Sequence, residues 1–187
     1  TESENIFAMN VEFMRKIVKV LSQETRIIWI SSSRVFDIND FHYRSTYDRQ
    51  NPNTWYGKEK CAIEEMLYER GNGSIIRLGK VFHSKIPILN QWRKEIYLGY
   101  PIEAYKNYLV SPLSLEDFFN GVSYTLKHRG TELLHVAPPF SLSYLDIANS
   151  LKEFLRCKSE VIPISYNSVS ELYFDTLVPS EEIVDVM

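Results

Sequence analysis

The sequence predicts an α/β fold in which helices cover a mostly parallel sheet. Apolar residues at helical spacing alternate along the chain with short runs rich in β-branched residues. The order is a helix at 6–23, a buried strand in "RIIWISSS", a helix at about 53–70 and a second buried strand in "SIIRLGKVF". Alternation of this kind indicates α/β layers with a mostly parallel sheet. In such sheets ligands bind outside the carboxyl ends of the strands.

Each of the first two helices carries an apolar stripe that faces the predicted core. In helix 6–23 the stripe is Val11, Met14, Ile17, Val18 and Leu21. In helix 53–70 the expected buried residues are Ala62, Ile63, Met66 and Leu67. The glycines of "GNG" at 71–73 are expected to end the second helix, since glycine adopts the left-handed cap conformation without strain.

The second half of the chain has a mixed pattern. We expect an irregular stretch at 84–101, because it holds Pro87, Gly99 and Pro101. Two helices follow, each opened by a serine with an aspartate three residues later, at Ser114 and Ser143. "TELLHVAPP" at 131–139 is typical of a strand, and "EVIPIS" at 160–165 of an edge strand that tolerates proline.

The composition excludes several classes of protein. With 187 residues, 44% of them hydrophobic, and a net charge of −3, the chain is globular and has no basic field for nucleic acid or anionic membranes. Its apolar runs are too short to span a bilayer. The two cysteines, Cys61 and Cys157, have no metal spacing and indicate reduced thiols in a cytoplasmic protein. The four histidines are scattered, so no metal site is predicted.

Two features suggest where chemistry takes place. The loop at 37–53 is long, polar and aromatic, and such loops inside compact domains are commonly functional. Directly after it, Tyr56 and Lys60 stand four residues apart at the start of a helix. This spacing places both side chains on one helix face. On spacing alone they are either an acid with its electrostatic partner or two ordinary residues of a solvated face.

Four segments in order, "ISSSRVFD", "YGKEK", "IIRLGKVF" and "SPLSLEDFFNGV", give the chain a family resemblance. It resembles the extended short-chain dehydrogenase/reductases, most closely the branch of sugar-nucleotide epimerases, dehydratases and dTDP-4-dehydrorhamnose-type reductases. The resemblance covers nearly the whole chain. It implies a Rossmann-like doubly wound parallel sheet with a smaller mixed substrate-binding section, an NAD or NADP cofactor and a nucleotide-sugar substrate.

The resemblance also implies roles for individual residues. Counting back from the "VF" pair at 35–36 assigns the catalytic serine, so the implied catalytic group is Ser32, Tyr56 and Lys60. Ser31 and Gly79 are implied to contact the cofactor together with Tyr56 and Lys60. Ser33 and Lys80 are implied to contact the substrate. Lys80 and His83 depart from the family's common asparagine and glycine, which puts the choice of substrate in question.

The implied chemistry is acid/base catalysis during hydride transfer. A free tyrosine has a pKa of about 10, too high for ready proton exchange at neutral pH. The ammonium of Lys60 and an oxidised nicotinamide are expected to lower the pKa of Tyr56. Tyr56 then exchanges a proton with a sugar oxygen, which Ser32 orients by a hydrogen bond.

The glycine-rich GxxGxxG turn of the family is not formed by any of the seven glycines. We expect a longer protein to carry it, with a natural short variant as the alternative. Residues 1–83 are then the second half of the Rossmann-like domain, and 84–187 are a mixed substrate-binding section with returning Rossmann elements. Helices 6–23 and 56–70 are candidates for a homodimer interface. The function is either a sugar-nucleotide oxidoreductase or epimerase, or a non-catalytic relative that serves as a binding or regulatory subunit.

Overall fold

The computed structural model describes residues 1–40, 42–130, 132–168 and 172–184. Six α-helices lie in these ranges: α1 Glu2–Val20, α2 Trp55–Arg70, α3 Pro87–Tyr97, α4 Leu115–Lys127, α5 Tyr144–Phe154 and α6 Glu181–Val184. The strands there are β1 Ile27–Ser32, β2 Gly73–Leu78, β3 Lys80–Val81, β4 Ile102–Tyr105, β5 Tyr108–Val110, β6 Pro112–Leu113, β7 Leu133–Val136, β8 Leu142–Ser143, β9 Val161–Ile164 and β10 Tyr173–Asp175. No helix in the described ranges is both long enough and apolar enough to cross a membrane.

The central sheet has three parallel strands in the order β1-β2-β7. Successive side chains of a strand point to opposite faces, and β1 follows this rule. Ile27 and Trp29 pack with the cluster formed by α1 and α2, whereas Ile28 and Ile30 pack with the cluster that contains Phe118 of α4. Helices therefore cover both faces of the sheet, and the predicted doubly wound α/β class is confirmed.

Helix α2 is held in place at both ends and along its buried face. The side chain of Thr54 caps its start by accepting the backbone N–H of Gly57 at 3.1 Å. Gly71 ends it in the left-handed conformation, with φ of 75°. Ile63 and Leu67 are each 1% exposed, and burial of such a side chain stabilises the fold by about 1.5–3 kcal/mol. These contacts fix the helix that carries Tyr56 and Lys60.

The rest of the chain builds a smaller mixed section. It contains the three-stranded sheet β10-β5-β8 and the two-stranded pairs β3-β6 and β4-β9. The core of the three-stranded sheet is rich in tyrosine, with Tyr108 packed edge-on against Tyr144 and Tyr166. Strand β9 carries Pro163 and pairs with β4, as predicted for an edge strand. Thr131, the first residue of the strand predicted at 131–139, lies outside the described residues.

The prediction of an irregular stretch at 84–101 is wrong. Helix α3 occupies Pro87–Tyr97 within it. Pro87 is the first residue of this helix, where a missing N–H breaks no intrahelical bond. Trp92 faces inward and is 1% exposed, and its indole N–H donates to the carbonyl of Glu103 at 3.1 Å. The prolines and Gly99 therefore flank the helix instead of interrupting it.

Two other boundaries differ from the predictions. Helix α1 runs from Glu2 to Val20 and so begins and ends earlier than 6–23. Its early start is explained by the capping box that Thr1 forms with Glu4. At α5 the predicted box is present, with reciprocal bonds between Ser143 and Asp146. At α4 the Ser114 oxygen accepts the Asp117 N–H at 3.0 Å, and the Ser114 hydroxyl donates to the Asp117 carboxylate at 2.6 Å.

Candidate active site at the carboxyl end of β1

Ser32 is the last residue of β1 and the cap of the 3₁₀ turn Ser33–Val35. Its Oγ accepts the backbone N–H of Arg34 at 3.2 Å. The Ser32 side chain is also close enough to the phenol of Tyr56 to lower its pKa. The serine chosen from the sequence thus meets the tyrosine at the carboxyl edge of the sheet.

The start of α2 lies unusually close to the 3₁₀ turn. A Cβ at Gly57 would lie 2.1 Å from the carbonyl oxygen of Arg34 and 2.8 Å from Cβ of Pro52. Only glycine allows this approach without a shift of the backbone. The preceding residue, Tyr56, is 51% exposed, and it lines a cavity of about 470 Å³ together with Ile6, Trp55 and Glu59. The phenol is therefore accessible from outside.

The pKa of Tyr56 is raised above its ordinary value by the surrounding protein, and its lowering by Lys60 together with an oxidised nicotinamide stays a prediction. Partial burial of the phenol is the main cause of the rise. The hydrogen bond from Ser32 lowers the pKa, and the negative charges of Glu59 and Asp175 raise it. Burial disfavours the charged phenolate, so the neutral phenol is the form that this surrounding stabilises.

Lys60 lies one helical turn after Tyr56 and reaches back to β1. Its Nζ donates to the carbonyl of Ile30 at 3.2 Å and lies 4.3 Å from the ring centroid of Trp29. It is also 5.3 Å from the ring centroid of Tyr56. Burial lowers the pKa of this ammonium, and the carboxylates of Glu59 and Glu64 oppose that shift. The lysine thus lies against β1.

The two serines that flank Ser32 have buried partners. Ser31 is 3% exposed and donates to the carboxylate of Glu64, and Ser33 is 7% exposed and donates to Asp175 Oδ1 at 2.5 Å. Both side chains are therefore engaged within the protein. Their implied contacts, with the cofactor for Ser31 and with the substrate for Ser33, stay predictions.

Gly79 and Lys80 continue β2 toward the smaller section. A Cβ at Gly79 would lie 2.5 Å from the carbonyl oxygen of Ser111, so close packing of two backbones requires glycine here. Lys80 pairs with Pro112 in the β3-β6 ladder, and its side chain is exposed. The implied roles of these two residues also stay predictions.

Sequence reasoning missed three residues that surround Ser32 and Tyr56. Arg34 Nη1 donates to the hydroxyl of Tyr108 at 2.9 Å and lies 3.8 Å from Asp175 Oδ2. Arg34 could have been suspected from its place directly after the serines. Tyr108 and Asp175 had no such signal, because they come from distant strands of the second half.

This fold is that of the extended short-chain dehydrogenase/reductases. The family model described as the RmlD substrate binding domain matches residues 1–171. The chain belongs to this family. A search of curated protein sequences found no match.

Several solved structures share the fold. A hypothetical dTDP-4-dehydrorhamnose reductase from Sulfolobus tokodaii has a TM-score of 0.80 and 24% identity over 100% of this chain and 68% of its own. The dTDP-4-dehydrorhamnose reductase from Yersinia enterocolitica has a TM-score of 0.71 and 23% identity over 81% of this chain and 55% of its own. The UDP-glucuronic acid 4-epimerase from Bacillus cereus has a TM-score of 0.75 and 13% identity over 95% of this chain and 60% of its own. The chain thus spans between about half and two thirds of the length of these proteins.

Some of these neighbours were solved with dinucleotides. The Bacillus cereus epimerase is in complex with UDP-glucuronic acid and NAD, and a dTDP-4-dehydrorhamnose reductase from Bacillus anthracis is in complex with NADP. In the present chain, Lys60 keeps donors free beside Tyr56, of the kind that a ribose hydroxyl can accept. An ammonium has three protons to donate, and the bond to Ile30 occupies one of those of Lys60.

Proposed function

We propose that the protein is an NAD(P)-dependent oxidoreductase or epimerase that acts on a nucleotide-linked sugar. The observation that carries this proposal is the approach of Ser32, the last residue of β1, to Tyr56 in the first turn of α2, with Lys60 on the next turn of the same helix. Tyr56 and Ser32 are 24 positions apart in the sequence, yet they place an acid and a hydrogen-bond donor at one edge of a parallel sheet. That edge is where α/β folds bind ligands.

In the proposed reaction Tyr56 exchanges a proton with a hydroxyl or keto oxygen of the sugar. Ser32 orients the same oxygen, and its fixed position avoids the entropic cost of orientation during the reaction. The dinucleotide, when bound, supplies or accepts the hydride. Lys60 holds the cofactor ribose and places a positive charge beside the phenol.

The direction of the reaction decides which form of Tyr56 is needed. Reduction of a keto oxygen needs a phenol that donates a proton, whereas oxidation of a hydroxyl needs the phenolate.

A second candidate is a non-catalytic subunit that keeps the fold without turnover. One observation favours it: Lys60 donates to the Ile30 carbonyl, so its ammonium is already partly engaged within the protein. Such a subunit would use the same surfaces for binding or regulation. We propose the same cytoplasmic setting for both candidates.

The decisive experiment is a turnover assay with a matched variant. The protein is incubated with NADPH or NADH and a panel of dTDP- and UDP-linked 4-keto sugars, and oxidation of the cofactor is followed at 340 nm. Tyr56→Phe removes one hydroxyl with little change in packing and should reduce turnover by at least about 100-fold. Tyr68→Phe, an exposed tyrosine later in the same helix, is the control and should keep full activity.

Turnover that survives Tyr56→Phe within a few-fold would overturn the assignment of the acid. Absence of turnover with every sugar, in a preparation that binds both the nucleotide sugars and the dinucleotide, would support the non-catalytic candidate. The coding sequence upstream of Thr1 is a further observation, since a GxxGxxG turn encoded there favours the enzyme.

A further inference from the structure

A chain of hydrogen bonds connects Asp175 of β10 with the 3₁₀ turn that follows Ser32. Ser33 Oγ donates to Asp175 Oδ1 at 2.5 Å. On the other side, the hydroxyl of Tyr108 donates to Asp175 Oδ2 at 3.4 Å, and Arg34 Nη1 donates to the oxygen of Tyr108 at 2.9 Å. Both oxygens of one carboxylate are thus used to hold two consecutive residues of the turn.

This connection is shielded from water. Asp175, Ser33 and Tyr108 are 8%, 7% and 9% exposed. A buried carboxylate is costly unless donors satisfy it, and here two hydroxyls and the nearby guanidinium of Arg34 do so. Hydrogen bonds in a low-dielectric surrounding are stronger than in water, so the turn is held firmly from the far side.

The 3₁₀ turn also determines where the Ser32 hydroxyl points. The backbone N–H of Arg34 donates to Ser32 Oγ at 3.2 Å. A serine hydroxyl has two acceptor lone pairs and a single proton. Once Oγ accepts from Arg34, its proton is left for another acceptor, and the nearby phenol of Tyr56 is the group whose pKa Ser32 lowers. A displacement of Arg34 would release Oγ and so change the approach of Ser32 to Tyr56.

We propose that Asp175 is a positioning residue for the Ser32–Tyr56 pair. It belongs to the smaller section and lies 142 positions from Ser33 in the sequence, yet it anchors the turn at the end of β1. The catalytic meaning of the pair rests on the proposed function. The anchoring itself is a geometric claim that needs no substrate to be tested.

The test uses the NMR signal of the Tyr56 ring carbon that bears the hydroxyl. The full chain is labelled with [¹³Cζ]tyrosine, and Tyr56→Phe identifies the signal at neutral pH. The Ser32→Ala variant then gives the chemical shift of this Tyr56 carbon when the serine hydroxyl is absent. Asp175→Ala should move the Tyr56 signal toward its position in Ser32→Ala. Ser33→Ala, which removes one arm of the connection, should move it in the same direction by less.

Two further variants separate positioning from general loss of stability. Asp146→Ala removes an aspartate that caps α5 through Ser143, and it should lower the melting temperature without moving the Tyr56 signal. Asp175→Asn keeps an acceptor for Ser33 but offers an amide to Tyr108, so it should give an intermediate shift. If Asp175→Ala does not fold, Ser33→Ala and Asp175→Asn decide the question.

The proposal is overturned if Asp175→Asn and Ser33→Ala fold and leave the Tyr56 signal at its wild-type position. A protein that turns over no sugar but shows these shifts would refute the proposed function and leave the anchoring by Asp175 standing. The two proposals therefore fail independently.

Discussion

Arg77 and Glu64 form an ion pair inside the protein, with Nη2 2.7 Å from Oε2 and side chains that are 5% and 3% exposed. The same carboxylate accepts from Ser31 of β1 and from Gln50 of the long loop. One buried charge thus joins strand β1, the loop at 37–53, helix α2 and strand β2. Phe41 of that loop lies outside the described residues.

Glu64→Ala should destabilise the fold strongly. It leaves the guanidinium of Arg77 buried without its partner, which typically costs about 3–5 kcal/mol. Urea unfolding followed by circular dichroism measures the change. Glu65→Ala, an exposed neighbour on the same helix, is the control and should change the unfolding free energy by less than about 0.5 kcal/mol. Equal losses in the two variants would contradict the importance of the buried pair.

Gly57→Ala should separate α2 from the 3₁₀ turn. The new Cβ would lie 2.1 Å from the carbonyl oxygen of Arg34, so the first turn of the helix has to move. We expect a loss of stability of about 1–3 kcal/mol and a weaker contact between Ser32 and Tyr56. Thermal unfolding measures the first effect. Gly130→Ala, where nothing lies within 4 Å of the added carbon, should leave the melting temperature nearly unchanged.

His135 should make the fold sensitive to mild acid. The residue is fully buried, and burial together with the charge of Arg77 lowers its pKa to about 4. In the unfolded chain its pKa is about 6.5. Between these values the unfolded chain takes up a proton that the folded chain does not, so stability falls as the pH drops from about 6.5 toward 4. Above about pH 6.5 the residue has no effect on the pH dependence.

The measurement for His135 is the unfolding free energy between pH 4 and pH 8. His135→Gln should remove the part of the slope that this residue causes, on the order of 2–3 kcal/mol across the range. His83→Gln, at an exposed position, is the control and should keep the wild-type slope. A His135→Gln slope equal to wild type would show that other groups cause the acid sensitivity.

The 187 residues by themselves should bind a dinucleotide only weakly. Lys60 and Tyr56 offer contacts to the ribose and nicotinamide, but no GxxGxxG turn is present among the seven glycines to hold the pyrophosphate. Titration calorimetry with NAD(H) and NADP(H) should give dissociation constants above about 100 μM. Micromolar binding would mean that other residues of this chain hold the pyrophosphate.

The exposed face of α1 should form a homodimer interface, as predicted for helices 6–23 and 56–70. Met9 and Phe13 are each 64% exposed and Ile6 is 46% exposed. They form an apolar stripe with acidic residues toward its start and basic residues toward its end, which suits antiparallel pairing of two copies. Light scattering should show a dimer that Phe13→Lys converts to a monomer, while the exposed change Phe154→Lys on α5 has no effect.

The sequence by itself determined the features that depend on neighbouring residues. Apolar spacing located α1, β1, α2 and β2, since helices and strands repeat over a few residues. The serines at the end of β1 and the four-residue spacing of Tyr56 and Lys60 became a candidate site only through the family resemblance of the surrounding segments. Helix α3 was missed because its local signals, Pro87 and Gly99, mark helix ends as readily as irregular loops.

Only the tertiary structure decided which distant residues anchor the candidate site and in which direction the pKa of Tyr56 shifts. Asp175 reaches Ser33 across 142 positions of the sequence, and no local period encodes a contact of that range. The direction of the pKa shift of Tyr56 depends on how much of the phenol is buried, which packing between α2 and the strand end sets. Residue types and their spacing show which groups are able to react, but their environment follows from contacts between distant segments.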